Sequence, residues 1–382
     1  MKTLKKTTAS LIAFALSASA FAASDMDARV RELEKKMDKI AVTTDTGSFG
    51  ACTATARPEP DGKGWFLSLD VLYWQTKVGG SAYAVSNQKE VNSPVIQVGT
   101  VREPSFKWDF GVKAGIGYDF DHDGWDIYGE FTYLNNTANS SSSVSSPAGL
   151  TPINAPLWLT ASSQQNILNN NQADFATNAS SSLDMKFYDL NLELGRDFFV
   201  SKELAFRPHF GLKSTWINLD QDSKFTGGST AYTLTDAGGN LVNIGGLNLS
   251  TLYSDTDSKM YGLGPRAGVN SRWFLGEGFS FYGDASSALL FGYLNNKYES
   301  SYSTYPNNAV KVKYKFHALI PTTNFGLGLA YDKYTMNNTQ HIHISLGYEN
   351  QIFWDSSYLA GATASPYNIG FYGVDLKVRW DF

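Results

Sequence analysis

The sequence predicts an all-β protein: an antiparallel transmembrane β-barrel of ten to twelve strands, preceded by a short periplasmic helix. Aromatic residues make up 14% of the 382 residues and charged residues only 18%, below the roughly 25% of a soluble domain. No apolar stretch of roughly 18 residues follows the N-terminal segment, which excludes a bundle of membrane helices. Apolar and polar residues instead alternate with period two over long segments, as they do in barrel strands.

The first 22 residues have the three parts of a secretory signal peptide. Lys2, Lys5 and Lys6 precede a short apolar run, and Ala20-Phe21-Ala22 fits the small-x-small cleavage pattern. The apolar run is too short to span a bilayer. We therefore expect an exported chain that ends in the bacterial outer membrane.

Residues 23–42 have helical periodicity and residues 43–63 read as a linker. The helical segment has an apolar heptad seam, formed by Met26, Val30, Leu33, Met37 and Ile40. It is either a small coiled coil that makes a homo-oligomer through residues 25–42 or a solvated spacer. Cys52 in the linker is either an intermolecular disulfide partner or a free thiol.

Residues 64–382 are predicted to form the barrel. Alternation predicts ten strands, near residues 65–76, 109–120, 125–134, 184–200, 204–217, 257–274, 279–297, 311–331, 339–353 and 369–382. Residues 94–101 and 232–249 are predicted to form either further strands or hairpins above the membrane.

The predicted connections alternate between short and long. Tight turns are expected at residues 121–124, 201–203 and 276–278, with aromatic residues beside them, and long loops at 78–108, 135–183 and 218–256. Outer-membrane barrels have short periplasmic turns, long extracellular loops and aromatic girdles. The final strand ends on Phe382, a terminal aromatic residue of the kind that the barrel-assembly machinery recognises.

One predicted strand changes parity. Val312, Tyr314 and Phe316 occupy even positions, whereas the apolar residues from Phe325 onwards occupy odd positions. A bulge near Pro321 would re-aim the side chains, because an extra residue shifts the pleat and proline cannot donate to the ladder.

The predicted lumen carries charges of both signs. They could form rings of one sign that select ions, or oppositely charged ladders that brace the wall. The candidate pore-lining residues are Asp70, Lys113, Asp119, Glu130, Asp189, Glu193, Arg207, His209, Lys213, Arg266, Arg272, Asp284, His341, His343, Asp375, Lys377 and Arg379.

Four separated segments carry a family resemblance. They are residues 64–74 (GWFLSLDVLYW), 122–128 (HDGWDIY), 207–213 (RPHFGLK) with Trp216, and 264–268 (GPRAG). Residues 64–382 resemble the pore-forming major outer-membrane proteins of Legionella and chlamydia-like bacteria. The resemblance implies a porin-like role.

Other chemistry is weakly supported by the sequence. His341 and His343 share a strand face without a fixed third metal ligand, and no nucleophile elbow or phosphate-binding loop is present. We expect no enzyme activity, no catalytic residue, no metal and no cofactor. The net charge of −5 argues against nucleic-acid binding. Lys311, Lys313 and Lys315 form a basic patch that could attract anions or the phosphates of lipopolysaccharide, an expected partner together with outer-membrane lipid.

These patterns predict passive diffusion of small hydrophilic solutes or ions through a polar lumen. The alternative is a non-conducting, surface-exposed adhesin or structural outer-membrane protein. This alternative remains because barrels of about eight strands are filled by their own side chains, whereas barrels with aqueous channels have about sixteen strands.

Overall fold

A computed structural model describes residues 64–91, 96–120, 124–143, 150–152, 176, 178–201, 203–226, 230–235, 241–247, 251–303, 305–335, 340–359 and 366–382. The predicted signal peptide, helical segment and linker, with Cys52, lie outside these residues. Among the described residues no helix is long and apolar enough to cross a membrane.

Ten antiparallel strands form one sheet that closes on itself. They are β1 (Gly64–Val78), β2 (Asp109–Asp119), β3 (Trp125–Ser143), β4 (Asn178–Arg196), β5 (Leu204–Thr226), β6 (Thr251–Gly276), β7 (Phe279–Tyr302), β8 (Tyr305–Thr335), β9 (Gln340–Ser357) and β10 (Tyr367–Asp381). Each strand pairs with its neighbours in sequence, and β1 pairs with both β2 and β10. The ten-strand barrel prediction is confirmed, and the even number leaves both ends of the barrel on one side.

Several shorter strands are present besides the ten strands of the barrel wall. Ala84–Val91 pairs with Ile96–Arg102, and Thr230–Thr235 pairs with Leu241–Leu247. Strands are therefore present in both segments for which the sequence left further strands or hairpins open, and the partner of the first, Ala84–Val91, was not predicted. Leu150–Pro152 adds to the first hairpin, and Phe198–Phe199 pairs with the start of β5.

Several strands are longer than the sequence pattern predicts. β3 continues to Ser143 and β5 to Thr226, and β6 begins at Thr251. The predicted loops at 135–183 and 218–256 were therefore too long. The outward residues of these extensions are polar, so hydrophobic alternation fades while the backbone ladder continues.

Aromatic side chains mark two levels on the outer wall. Trp65 and Trp273 are exposed near the periplasmic end, and Tyr73 and Tyr261 further up the same two strands. Eight residues separate the pair on β1 and twelve the pair on β6. At about 3.3 Å per residue and a tilt near 40°, these spans are roughly 20 and 30 Å, which brackets the ~25 Å apolar band of outer-membrane barrels.

The wall changes polarity at the upper aromatic level. Below it, apolar residues face outward, as Leu319, Phe325 and Leu329 do on β8. At and above it the inward side chains become apolar, as Leu294 on β7 is, while Lys313 and Lys315 on β8 face outward. Along the strands toward the extracellular end, the outer face therefore changes from lipid contact to water contact, and the interior changes from polar to apolar.

This inversion corrects the predicted bulge near Pro321. The β7–β8 ladder runs in unbroken register from Phe279 opposite Tyr331 to Ser300 opposite Val310, with Pro321 opposite Leu289. Apolar residues change from one parity to the other because the environment changes sides, so no extra residue is needed. Pro321 is tolerated because β8 pairs with β9 only as far as Thr322, leaving its other edge free at this point.

Candidate functional site

The periplasmic half of the barrel interior is a polar chamber. Its cavity has a volume of about 230 Å³ and is lined by eight carboxylates and six Lys or Arg side chains. Asp197 and Phe199 beside a periplasmic turn belong to the lining, so the chamber reaches the periplasmic rim. All the candidate lumen residues contribute to it except Asp119, Asp189, Lys213 and His341. Whether these residues line a permeation path stays a prediction.

Arg207 on β5 is the centre of the lower ion-pair network. It donates from Nε and Nη2 to the two carboxylate oxygens of Asp126, at 2.7 and 2.5 Å, and from Nη1 to Glu193 at 2.8 Å. Arg266 donates to the other oxygen of Glu193 at 2.8 Å. A bidentate Arg–carboxylate pair is strong and directional. This network ties β3, β4, β5 and β6 together through the lumen, and His209 lies beside it with Nε2 3.4 Å from Glu193.

A second network crosses the opposite side of the chamber. Lys113 on β2 donates to Glu349 on β9 at 2.5 Å. Lys377 lies 3.8 Å from both Asp70 and Glu130. Lys113–Glu349 and Lys377–Glu130 join strands that are not neighbours in the sheet, so these charges act as cross-braces. Lys377 and Asp70 are cross-strand partners on the adjacent strands β10 and β1. Asp284 accepts from Asn270 at 2.8 Å, and Asp375 accepts from Tyr282 at 3.4 Å.

The periplasmic rim holds the histidine pair. Asp332 lies between His341 Nε2 and His343 Nδ1, at 2.9 and 2.8 Å, and Arg272 is 3.5 Å from it. Arg379 pairs with Asp119 at 3.1 Å. Within the described part of the chain, no group of three or more His, Cys, Asp or Glu side chains could hold a metal ion. Both histidines therefore form hydrogen bonds with the Asp332 carboxylate.

An aromatic layer separates this chamber from the extracellular half. It consists of Trp74 on β1, Phe187 on β4, Phe353 on β9 and Phe371 on β10, all with 0% exposure. The Phe187 ring centroid lies 4.3 Å from that of Phe371 and 5.8 Å from that of Phe353. Because β4 and β9 are on opposite sides of the barrel, ring contact between them closes the lumen.

Two lysines lie against the lower face of this layer. The ammonium of Lys113 is 5.1 Å from the ring centroid of Trp74, and that of Lys213 is 5.5 Å from Phe353. Lys213 also donates to Asp189 at 2.5 Å. Cation–π contacts of this kind are favourable when water is excluded. They join the charged chamber to the aromatic layer.

Loop residues fill the space above the layer. Phe106, which precedes β2, and Leu359, which follows β9, are buried in the same apolar cluster. Gln221 on β5 donates to the carbonyl of Ser81, which follows β1, at 2.7 Å. The segment after β1 therefore folds across the barrel, and the outer closure includes residues that are not part of the wall.

Inward glycines make room for large side chains. An added Cβ at Gly347 would lie 1.9 Å from Tyr282 Oη, and one at Gly117 would lie 2.1 Å from the Phe66 ring. A Cβ at Gly195 would lie 2.4 Å from the Arg207 guanidinium. The glycines therefore permit side chains to cross the lumen and do not widen it.

Sequence reasoning missed Glu349, Tyr282 and the aromatic layer. Glu349 has the same parity as the predicted inward residues of β9, so its alternation could have identified it. Trp74 and Phe187 have inward parity too, but each adjoins an outward aromatic residue, and such pairs look like parts of a girdle. Only the three-dimensional pairing shows that the inward rings meet.

Comparison with known proteins identifies the family. The profile of the family described as Legionella pneumophila major outer membrane protein precursor matches residues 58–382. No curated protein sequence matches the chain.

Among solved structures, the chain is similar to a major outer membrane protein from Thermus thermophilus. The identity is 10%, covering 83% of this chain and 99% of that one, with a TM-score of 0.31. A Pseudomonas aeruginosa FadL homologue gives 10% identity, 84% and 90% coverage and a TM-score of 0.29. Similarities this low carry no information about function. The family match spans the whole barrel, and the chain therefore belongs to the Legionella pneumophila major outer membrane protein family and is an outer-membrane β-barrel.

Proposed function

We propose that this protein is an outer-membrane channel for the passive diffusion of small hydrophilic solutes or ions, closed at rest by the aromatic layer. The observation that carries the proposal is the polar chamber, which occupies the membrane-spanning half of the lumen. Charged side chains inside a barrel wall are costly unless they are paired or hydrated. A chamber of about 230 Å³ that reaches the periplasmic rim supplies both the pairing and space for water.

The closure can open without breaking the barrel wall. Phe106 and Leu359 come from loops, so their departure would leave the strand ladders intact. The four rings of the aromatic layer would then lose the apolar packing above them. Hydrophobic constrictions of this kind close channels by excluding water.

Solute selectivity should be weak. The chamber walls carry both signs, and the pairs Arg207–Asp126 and Lys113–Glu349 each cancel one charge of either sign. A ring of one sign is needed for strong ion discrimination. We therefore expect small anions and cations to pass at similar rates when the layer opens.

The rival function is a non-conducting surface or structural protein. The four fully buried rings favour it, because they meet across the whole barrel. In that role the interior network and the aromatic layer would only stabilise a scaffold for the extracellular loops.

Conductance in planar bilayers distinguishes the two. The full chain is compared with Phe187→Ala/Phe371→Ala, which removes two touching rings, and with Phe325→Ala, which removes a lipid-facing ring of 58% exposure. All three proteins must first show the heat-modifiable migration of folded barrels.

We expect brief discrete steps from the native chain and from Phe325→Ala, and longer, larger steps from the double variant. Silence from all three folded proteins would contradict a channel. Conductance from the double variant alone would also contradict it, because the native lumen would then be permanently sealed.

A further inference from the structure

The outer surface of β6, β7 and β8 carries a concentrated group of lysines. This lysine patch consists of Lys259, Lys297, Lys313 and Lys315. Each side chain is on the outward face and exposed. Lys297 pairs across the ladder with Lys313, and Asn295 pairs with both Lys259 and Lys315. The four ammonium groups therefore share one compact area of the wall.

The lysine patch lies directly above the upper aromatic level. On β8, Lys315 and Lys313 lie two and four residues beyond His317, whose ring is 5.2 Å from both Phe291 and Tyr293. At about 3.3 Å per residue these lysines lie roughly 7 and 13 Å further along the strand. This is the depth at which lipid headgroups meet the wall of an outer-membrane barrel.

The charge of the patch is only partly neutralised. Asp257 is shared by Lys259 at 3.2 Å and Lys297 at 3.1 Å. Within the described part of the chain, Lys313 and Lys315 make no ion pair. The neighbouring Glu299 is paired with Lys311 at 2.7 Å, so the patch keeps a positive charge.

The surface below and beside the patch defines the ligand further. Below it, Leu319 and Phe291 are 63% and 60% exposed, which gives an apolar surface for acyl chains. Beside it, the lysines on the outward faces of β4 and β5 are outnumbered by carboxylates, among them Asp184 and Asp220, which are paired with each other across the ladder. The excess of positive charge is therefore confined to β6–β8.

We propose that the lysine patch binds the phosphate groups of lipopolysaccharide in the outer leaflet, with Lys313 and Lys315 as the principal contacts. Phosphate groups attached to acyl chains match an area of free ammonium groups above an exposed apolar wall. A soluble anion would use only the first of these features. This site is independent of conduction through the lumen.

The test measures lipid A binding to the folded full chain in detergent by native mass spectrometry. Lys313→Gln/Lys315→Gln is compared with Lys186→Gln/Lys224→Gln, which removes two exposed lysines from the outward faces of β4 and β5. Each protein is titrated with bisphosphorylated lipid A and with lipid A that lacks both phosphates. Inorganic phosphate is added as a competitor in a parallel series.

We expect the first variant to bind bisphosphorylated lipid A at least about tenfold more weakly than the native chain, because each basic residue near an anionic lipid surface contributes appreciably to binding. The β4–β5 variant should bind as the native chain does. Equal affinity in all three proteins, or an equal loss in both variants, would overturn the proposal. The proposal would also be overturned if the native chain bound dephosphorylated lipid A as tightly as bisphosphorylated lipid A, or if millimolar inorganic phosphate displaced the bound lipid A completely.

Discussion

Removing the Arg207 side chain should destabilise the barrel strongly, because it leaves a buried carboxylate without a partner. Asp126 and Glu193 have side-chain exposures of only 5% and 7%. Glu193 would keep Arg266 at 2.8 Å, whereas Asp126 has no other hydrogen-bond donor among the described side chains. Removing one partner of a buried ion pair costs about 3–5 kcal/mol. We expect Arg207→Met to lower the free energy of unfolding by ~3 kcal/mol, the lower end of this range, because one of the two carboxylates that Arg207 contacts stays paired.

The assay is reversible guanidinium unfolding in phospholipid vesicles, followed by tryptophan fluorescence. Lys186→Met serves as the control, since Lys186 is exposed on the outward face of β4 and its replacement should cost less than about 1 kcal/mol. Adding Asp126→Asn to Arg207→Met should recover part of the loss, because it removes the orphaned charge. A loss below about 1 kcal/mol for Arg207→Met, or equal costs of Asp126→Asn in both backgrounds, would refute the cross-brace argument.

Two further predictions concern lumen packing and the extracellular rim. Gly347→Ala should lower the free energy of unfolding by about 1–3 kcal/mol in the same assay, because its Cβ would overlap Tyr282. Gly370→Ala, whose Cβ would meet nothing within 4 Å, should stay near the native value. Equal costs would show that the lumen is not tightly filled. Partial burial and the Asp257 carboxylate raise the pKa of Asp220, and partial burial with Asp222 and Glu299 raises the pKa of Asp255. Because a raised pKa means that the ionised form is disfavoured in the folded state, the wild-type rim gains stability as pH falls through these folded pKa values. Asp220→Asn/Asp255→Asn should therefore raise the melting temperature at about pH 7, and this advantage should shrink on acidification; a gain that is independent of pH would contradict the charge explanation.

The sequence was sufficient for the barrel and for the inward side of its lower half. Alternation located all ten strands, because lipid outside and a polar chamber inside force opposite polarities on successive residues. The inward positions of Arg207, Lys113 and Glu193 followed directly from that parity. The length of the strands did not follow, because above the upper aromatic level the outside becomes water and the pattern weakens.

The closure of the lumen could not be read from the pattern. The parity change on β8 was visible, but a bulge and a change of environment give the same signal in one strand. The two are distinguished by the neighbouring ladder, whose register at Pro321 is continuous. Similarly, contact between Phe187 and Phe353 depends on which strands face each other across the barrel, and this information is absent from local periodicity.

Single-channel conductance of the native chain tests most directly whether the polar chamber belongs to a channel that the aromatic layer and the apolar residues above it close. We expect discrete, short-lived openings from the native chain, longer openings from Phe187→Ala/Phe371→Ala, and openings like those of the native chain from Phe325→Ala. A native barrel that is folded and silent at all voltages would contradict a channel, whatever the double variant does.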